Sequence, residues 1–314
     1  MDTFKFIEGD VAPGFKANFE PSLFNLENHR LLQSAEGWLS FHLVEPARKR
    51  VAASAFFCVQ RGIVLSPLRA PFGGIECSGK LPTQALFGFI GDIELALRGK
   101  GIKSINLKLA PSLYHPALHN TLAVLLLNHG YQILHAELGA CLPVLNEPPL
   151  LTRFDPWEKR RLKQAVKVKL EFRALPLKSL HTIYHFILHC REQRGHSLSM
   201  DYGSLLETAN QFKNNFFLFG IYKEQELIAA SIAIQVNSKV LYNFYSAHAK
   251  KHNDLSPVVF LIHEMHNWCF ERKINLLDLG TSALEGKPNF PLIDFKLRLG
   301  AKPAMKPTFE KKLR

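Results

Sequence analysis

Two stretches of this chain carry the residue types that could do chemistry. In the first, Lys159, Arg160, Arg161, Lys163, Lys167, Lys169 and Arg173 are opposed only by Glu171 within residues 159–173. Pairing at i,i+4 cannot neutralise so many cations, so one helix face is expected to be basic and to suit an anion. The second is Asp278-Leu279-Gly280-Thr281-Ser282, directly after a short apolar run. Strand ends are where α/β clefts open, and Asp278 and Ser282 there supply an acceptor and a hydroxyl beside free backbone amides. A plain turn with a helix cap is the structural alternative. Metal chemistry is not indicated. His181, His185 and His189 share a helix face, as do His263 and His266, but no H-E-x-x-H or local carboxylate completes a site. No Ser/His/Asp or Cys/His spacing points to a covalent intermediate.

The charge of the chain follows the same division. Residues 1–150 hold 13 Lys+Arg against 12 Asp+Glu, whereas residues 151–314 hold 26 against 15. Such a basic half concentrates polyanions: tRNA, a nucleotide- or lipid-linked precursor, coenzyme A, or an anionic membrane surface. No DNA partner is expected, and oligomeric state is not legible. No apolar run reaches the length of a membrane span, and the first ten residues lack the apolar core of a secretory signal. The five cysteines form no C-x-x-C pair, so a reduced, cytoplasmic setting is expected.

The elements that must position these residues come in two similar series. Residues 38–43, 51–60 and 62–66 read as a three-strand meander, followed by a helix carrying Leu86, Ile90, Ile93 and Leu97, a strand at 104–109 and a helix from Pro116 to Gly130. Residues 216–222, 227–236 and 240–246 repeat the meander, followed by a helix at 257–272, a strand at 276–279 and a helix at 291–299 ending at Gly300. Ala52-Ala53-Ser54 echoes Ala229-Ala230-Ser231, Asn106-Leu107 echoes Asn275-Leu276, and Gly130 echoes Gly300. The offsets of 177, 169 and 170 residues suit a duplication with loop indels. A Pro-containing stretch at 146–150 reads as the linker, giving domains 1–150 and 151–314. Asp155, Pro156 and Glu158 form a capping-box signature for the basic helix. The order β-β-β-α-β-α-β fits neither a Rossmann nor a barrel plan.

That order matches the GNAT superfamily. With the basic helix Trp157-Glu158-Lys159-Arg160-Arg161-Leu162-Lys163-Gln164-Ala165 and the ending Phe295-Lys296-Leu297-Arg298-Leu299-Gly300-Ala301, the chain resembles the Fem-type (FemAB/FemX-like) family of double GNAT-fold transferases. The resemblance implies an α/β (α+β) fold of two tandem GNAT-like domains, each a mixed, largely antiparallel sheet flanked by helices. It also implies an acyltransferase that forms an amide, moving an aminoacyl or acyl group from aminoacyl-tRNA or an acyl thioester to an amine such as that of a peptidoglycan precursor.

By the same resemblance Lys296, near the start of the last helix, points into the cleft and stabilises a developing oxyanion. Asp294 reads either as an acid that orients it or as an N-terminal helix acid alone. Asp278 lines the cleft, and Lys159, Arg160, Arg161 and Lys163 face substrate phosphates. Tyr242, Tyr245 and Ser246 lie on the strand where GNAT-like enzymes present substrate, although an aromatic strand packing its neighbours reads the same way. The Q/R-x-x-G-x-G/A loop that holds coenzyme A in GNAT acetyltransferases is missing. Residues 249–257 have no glycine, leaving Lys250, Lys251 and the helix start Ser256-Pro257 as phosphate contacts. No tightly bound cofactor is expected. An acyl-CoA-dependent N-acyltransferase of a small amine or lipid, and a non-catalytic nucleotide- or RNA-binding relative, are the alternatives.

Overall fold

The computed structural model describes residues 4–284 and 287–313. The chain forms two compact units, Met1–Glu137 with Met305–Arg314, and Leu138–Ala304.

In the first unit, strand Trp38–Glu45 pairs antiparallel with Lys5–Glu8 on one side and Arg50–Gln60 on the other. Arg61 and Gly62 both take positive φ, 50° and 82°, which turns the chain tightly into Ile63–Ser66. Helix Thr83–Gly99 follows. Its apolar residues recur at helical spacing, so Leu86, Phe89, Ile90, Ile93 and Leu97 are all buried on one face against Phe41, Phe57 and Ile105. The crossover ends in Ser104–Lys108, parallel to Ile63–Ser66, and helix Pro116–Asn128 comes next.

The second unit repeats this plan. Strands Glu171–Leu175, Phe216–Lys223, Glu226–Asn237 and Val240–His248 are successively antiparallel. Helix Pro257–Glu271 buries Val259, Leu261, Ile262, Met265 and Cys269, and leads to Leu276–Thr281, parallel to Val240–His248. The expected elements therefore all form, most within two residues of their expected ends.

The domain boundary differs from the one read in the sequence. The strand after helix Pro116–Asn128 is Gln132–Pro143, and its residues Gly139–Pro143 pair antiparallel with Leu276–Thr281 in the second unit. The first unit's sheet is closed instead by the C-terminal strand, whose Thr308–Lys312 pair antiparallel with Ser104–Lys108. The units thus exchange their last strands. Burial explains why: Ala140, Cys141 and Leu142 belong in the second unit, and Phe309, fully buried, in the first core. The stretch 146–150 is not a free linker either, since Leu150 begins a short helix, Leu150–Arg153, and is buried in the second core.

Candidate active site

The second unit opens a cleft because two parallel strands stop pairing. Val240, Leu241 and Tyr242 align with Leu276, Leu277 and Asp278, and among the described residues no further ladder pair joins these strands. Beyond that point Gly280 takes φ +75°, and the register with the strand at 139–143 shifts between Asp278 and Thr281. The resulting space, about 810 Å³, is lined by Arg161, Arg191, Tyr242, Tyr245, Ser246, Ser256, Gly280, Thr281, Phe295 and Lys296 among others.

Lys296 sits at the centre of this arrangement. It lies in the last turn of helix Phe290–Arg298, not near its start, and only 6 % of it is exposed. Its Nζ donates to the carbonyls of Gly280 at 2.9 Å and Thr281 at 3.0 Å. Burial pushes its ammonium down to about 8, while Asp278 and the Cys141 thiol pull the other way and Arg191 adds to the lowering. Asp278 is buried beneath the cleft, and its Oδ1 accepts the Gly280 N–H at 2.7 Å. Cys141, directly across the strand pair, donates its S–H to Asp278, and burial first, then that carboxylate, drives the thiol well above its ordinary range. Asp294 is exposed, so the carboxylate that acts on Lys296 is Asp278.

The remaining expected residues are sorted by the geometry. Tyr242, Tyr245 and Ser246 line the cleft. The Tyr245 hydroxyl is 2.6 Å from Ser199 Oγ and accepts the Met200 N–H at 3.0 Å, so it fastens the segment after helix Leu180–Glu192 to the strand. Ser246 Oγ accepts from Asn243 Nδ2 at 3.3 Å. Ser282 is buried outside the lining, its backbone N–H bonded to the Leu138 carbonyl at 3.0 Å.

On helix Pro156–Lys167 only Arg161 reaches the cleft; Lys159, Arg160 and Lys163 do not. Asp155 caps the helix, accepting from Trp157 N at 2.8 Å, but Glu158 does not complete the capping box. It is fully buried and pairs with Arg161 at 3.4 Å and Arg298 at 3.0 Å. Lys250 and Lys251 are exposed and off the lining, and Lys251 is paired with Glu226 at 2.6 Å. Ser256 does line the cleft, at φ +52°, and its side chain makes no cap bond to the helix that Pro257 starts.

The sequence reading passed over Arg191, Ser199 and His248. Arg191 enters the cleft from the last turn of helix Leu180–Glu192, with Nη2 3.5 Å from the Ser246 carbonyl oxygen. Burial lowers its pKa, Tyr245 and Tyr242 oppose that, and Arg194 adds to the lowering. His248 accepts from Arg194 Nη2 at 3.2 Å. The signal for Arg191 was a cation at the end of a helix whose histidine row drew attention away from it. No group of three or more metal-capable side chains occurs among the described residues.

The cleft is therefore a cationic, partly aromatic slot built on splayed parallel strands, a site able to hold an anion and to meet developing negative charge with a fixed ammonium. Residues 158–290 match the acetyltransferase (GNAT) domain family, within the second unit. The fold of the whole chain is a tandem GNAT fold. It is similar to the crystal structure of FemX, with a TM-score of 0.67 at 12% identity over 94% of this chain and 93% of that one. It is also similar to L-PGS from Bacillus licheniformis, with a TM-score of 0.52 at 13% identity over 82% and 80%. A tandem GNAT protein from the clavulanic acid biosynthesis pathway gives 0.50 at 11% over 88% and 83%. No curated protein matches the sequence. Among the described residues no helix is long and apolar enough to cross a membrane.

Proposed function

We propose that the second unit catalyses amide formation, transferring an aminoacyl or acyl group from an activated donor to an amine acceptor. The observation that carries this reading is the Lys296 ammonium, fixed by the Gly280 and Thr281 carbonyls at the mouth of the strand splay. Those two bonds leave one of its three N–H groups for the oxygen that turns negative when an amine adds to an ester or thioester carbonyl. The proton lost by the amine leaves with the released alcohol or thiol. Arg161 and Arg191 supply the charge for a phosphate or carboxylate of donor or acceptor. Aminoacyl-tRNA as donor and a nucleotide- or lipid-linked cell-wall precursor as acceptor fit that slot.

An acyl-CoA donor is a second reading, favoured by one feature. Helix Pro257–Glu271 begins on the cleft, with Ser256, Pro257, Val258 and Val259 in its lining. Backbone amides at a helix start attract phosphate even without the glycine-rich loop.

The protein is to be incubated with charged tRNA or acyl-CoA and a labelled amine precursor, and the amide product measured by mass spectrometry. Product that disappears in Lys296→Ala, with folding retained, is the expected result. A rate unchanged in Lys296→Ala overturns the assigned role. Thermal stabilisation by coenzyme A selects the second donor class. Polyanion binding without turnover, indifferent to Lys296, points to a non-catalytic binding protein.

A further inference from the structure

Helix Pro156–Lys167 carries more positive charge than the cleft uses. Glu158, Leu162 and Ala165 are buried on its inner face, and Arg161 turns towards the cleft. At 100° per residue, Arg160, Lys163 and Lys167 fall together on the opposite, exposed arc. Two large apolar side chains edge this arc: Trp157, 52 % exposed, and Val166, 58 % exposed. The Arg160 guanidinium lies 5.0 Å from the centre of the Trp157 ring. Leu151, 40 % exposed, comes from the short preceding helix, which the Lys159 ammonium ties in through the Thr152 carbonyl at 3.2 Å. The only acid of the basic helix, Glu158, is fully buried, so the helix itself contributes cations, the Gln164 amide and apolar groups to the arc and no carboxylate, while Gln164 bonds the backbone carbonyl of the neighbouring Asp254 at 3.2 Å.

We propose that this outer face docks the protein on an anionic lipid bilayer surface. Charge complementarity selects anionic headgroups, since each Lys or Arg near such a surface adds to binding. The apolar edges select a bilayer over RNA. Trp favours the headgroup boundary, and Val166 and Leu151 gain by entering it, whereas aliphatic side chains offer nothing for a base to stack on. Arg161 lines the cleft from the same helix, so docking brings the cleft beside the lipid. An acceptor carried in the bilayer is then the favoured substrate class. That last step rests on the acyl-transfer reading; the docking does not.

The test is flotation of the purified chain with phosphatidylcholine vesicles, with and without phosphatidylglycerol. Binding is expected only with phosphatidylglycerol and is expected to weaken as salt rises. Arg160→Gln with Lys163→Gln should weaken it roughly thirtyfold. Lys213→Gln with Lys239→Gln makes the same change in net charge at exposed positions beyond the start of strand Val240–His248, the end opposite the segment that Gln164 of the basic helix touches, and should leave it nearly unaltered. Trp157→Ala should also weaken binding, and a blue shift of tryptophan emission on vesicles should vanish in Trp157→Phe. Thermal unfolding of each variant checks that it is folded. The proposal is overturned by absence of binding to phosphatidylglycerol vesicles, by equal loss in the two double variants, or by tRNA binding that needs Arg160 and Lys163 while vesicles are ignored. Vesicle binding with no acyl transfer to any amine would leave the docking standing and remove the enzymatic reading alone.

Discussion

The ammonium of Lys296 is held 2.9 Å from the carbonyl oxygen of Gly280, a residue whose N–H is in turn held by Asp278 at 2.7 Å. One left-handed glycine thus offers its two backbone groups to opposite charges. Asp278 steadies the turn, and the turn steadies the lysine. A lysine so placed has little freedom left to lose when a reacting oxygen arrives, which is what electrostatic preorganisation requires.

The position of Lys296 gives opposite pH dependences for activity and stability. Burial lowers it from the ordinary 10.5 to about 8. Between those values the unfolded chain binds a proton that the folded chain does not, so the stability due to this group rises with pH across the window. Oxyanion stabilisation needs the ammonium, so the rate should fall as pH passes about 8. Lys296→Met should remove the rising limb from a pH series of urea midpoints and lower the rate by a factor of about a hundred or more. A stability profile identical in the variant would refute the assignment.

Asp278 acts on the same group from beneath. It is the leading influence holding the Lys296 pKa up against burial. Asp278→Asn removes that charge, so the lysine should lose its proton at a lower pH than in the parent. The pH dependence of Lys296 acylation by acetic anhydride, followed by peptide mass spectrometry, reads this without any substrate. A midpoint that stays in place or moves up would exclude Asp278 as the group that keeps Lys296 charged.

Much of this was legible in the sequence, and the failures have definite causes. Periodicity and turn residues are local, so the meanders, helix Thr83–Gly99 and the start of the basic helix at Asp155 could be read directly. The exchange of last strands could not. Nothing local in residues 139–143 or 308–312 says which sheet each will close, because pairing across more than a hundred residues is decided by packing. The same holds for Glu158. Its spacing from Asp155 is that of a capping box, yet its partner Arg298 lies 140 residues away. Lys296 and Asp278 could be singled out as candidates because motif and strand end coincided; Arg191 had no such coincidence.

Glu158 also makes a stability test. Its side chain is fully buried, while its partners Arg161 and Arg298 keep 38% and 41% of their side chains exposed. Exposure lets water take over part of their charge, so Glu158→Gln should cost about 2 kcal/mol, below the usual penalty for breaking a fully buried pair. Because Arg161 lines the cleft, the variant should weaken binding of an anionic ligand as well as lower the urea midpoint. A midpoint unchanged from the parent would mean that this pair contributes nothing to the fold.

The two glycines that end equivalent helices in the repeat should respond differently to the same change. Gly130 and Gly300 both take positive φ, +83° and +77°, so an added Cβ costs about 1 kcal/mol of backbone strain at either. At Gly130 nothing lies within 4 Å of where that Cβ would stand. At Gly300 it would stand 2.8 Å from Arg153 Cβ and 3.2 Å from the Arg153 carbonyl oxygen, atoms that cannot move without shifting the backbone. Gly300→Ala should therefore cost about 3 kcal/mol in total, with the excess coming from overpacking. Urea unfolding of the two variants measures the difference, and equal losses would mean that the second unit relaxes around residue 153 more easily than its packing implies.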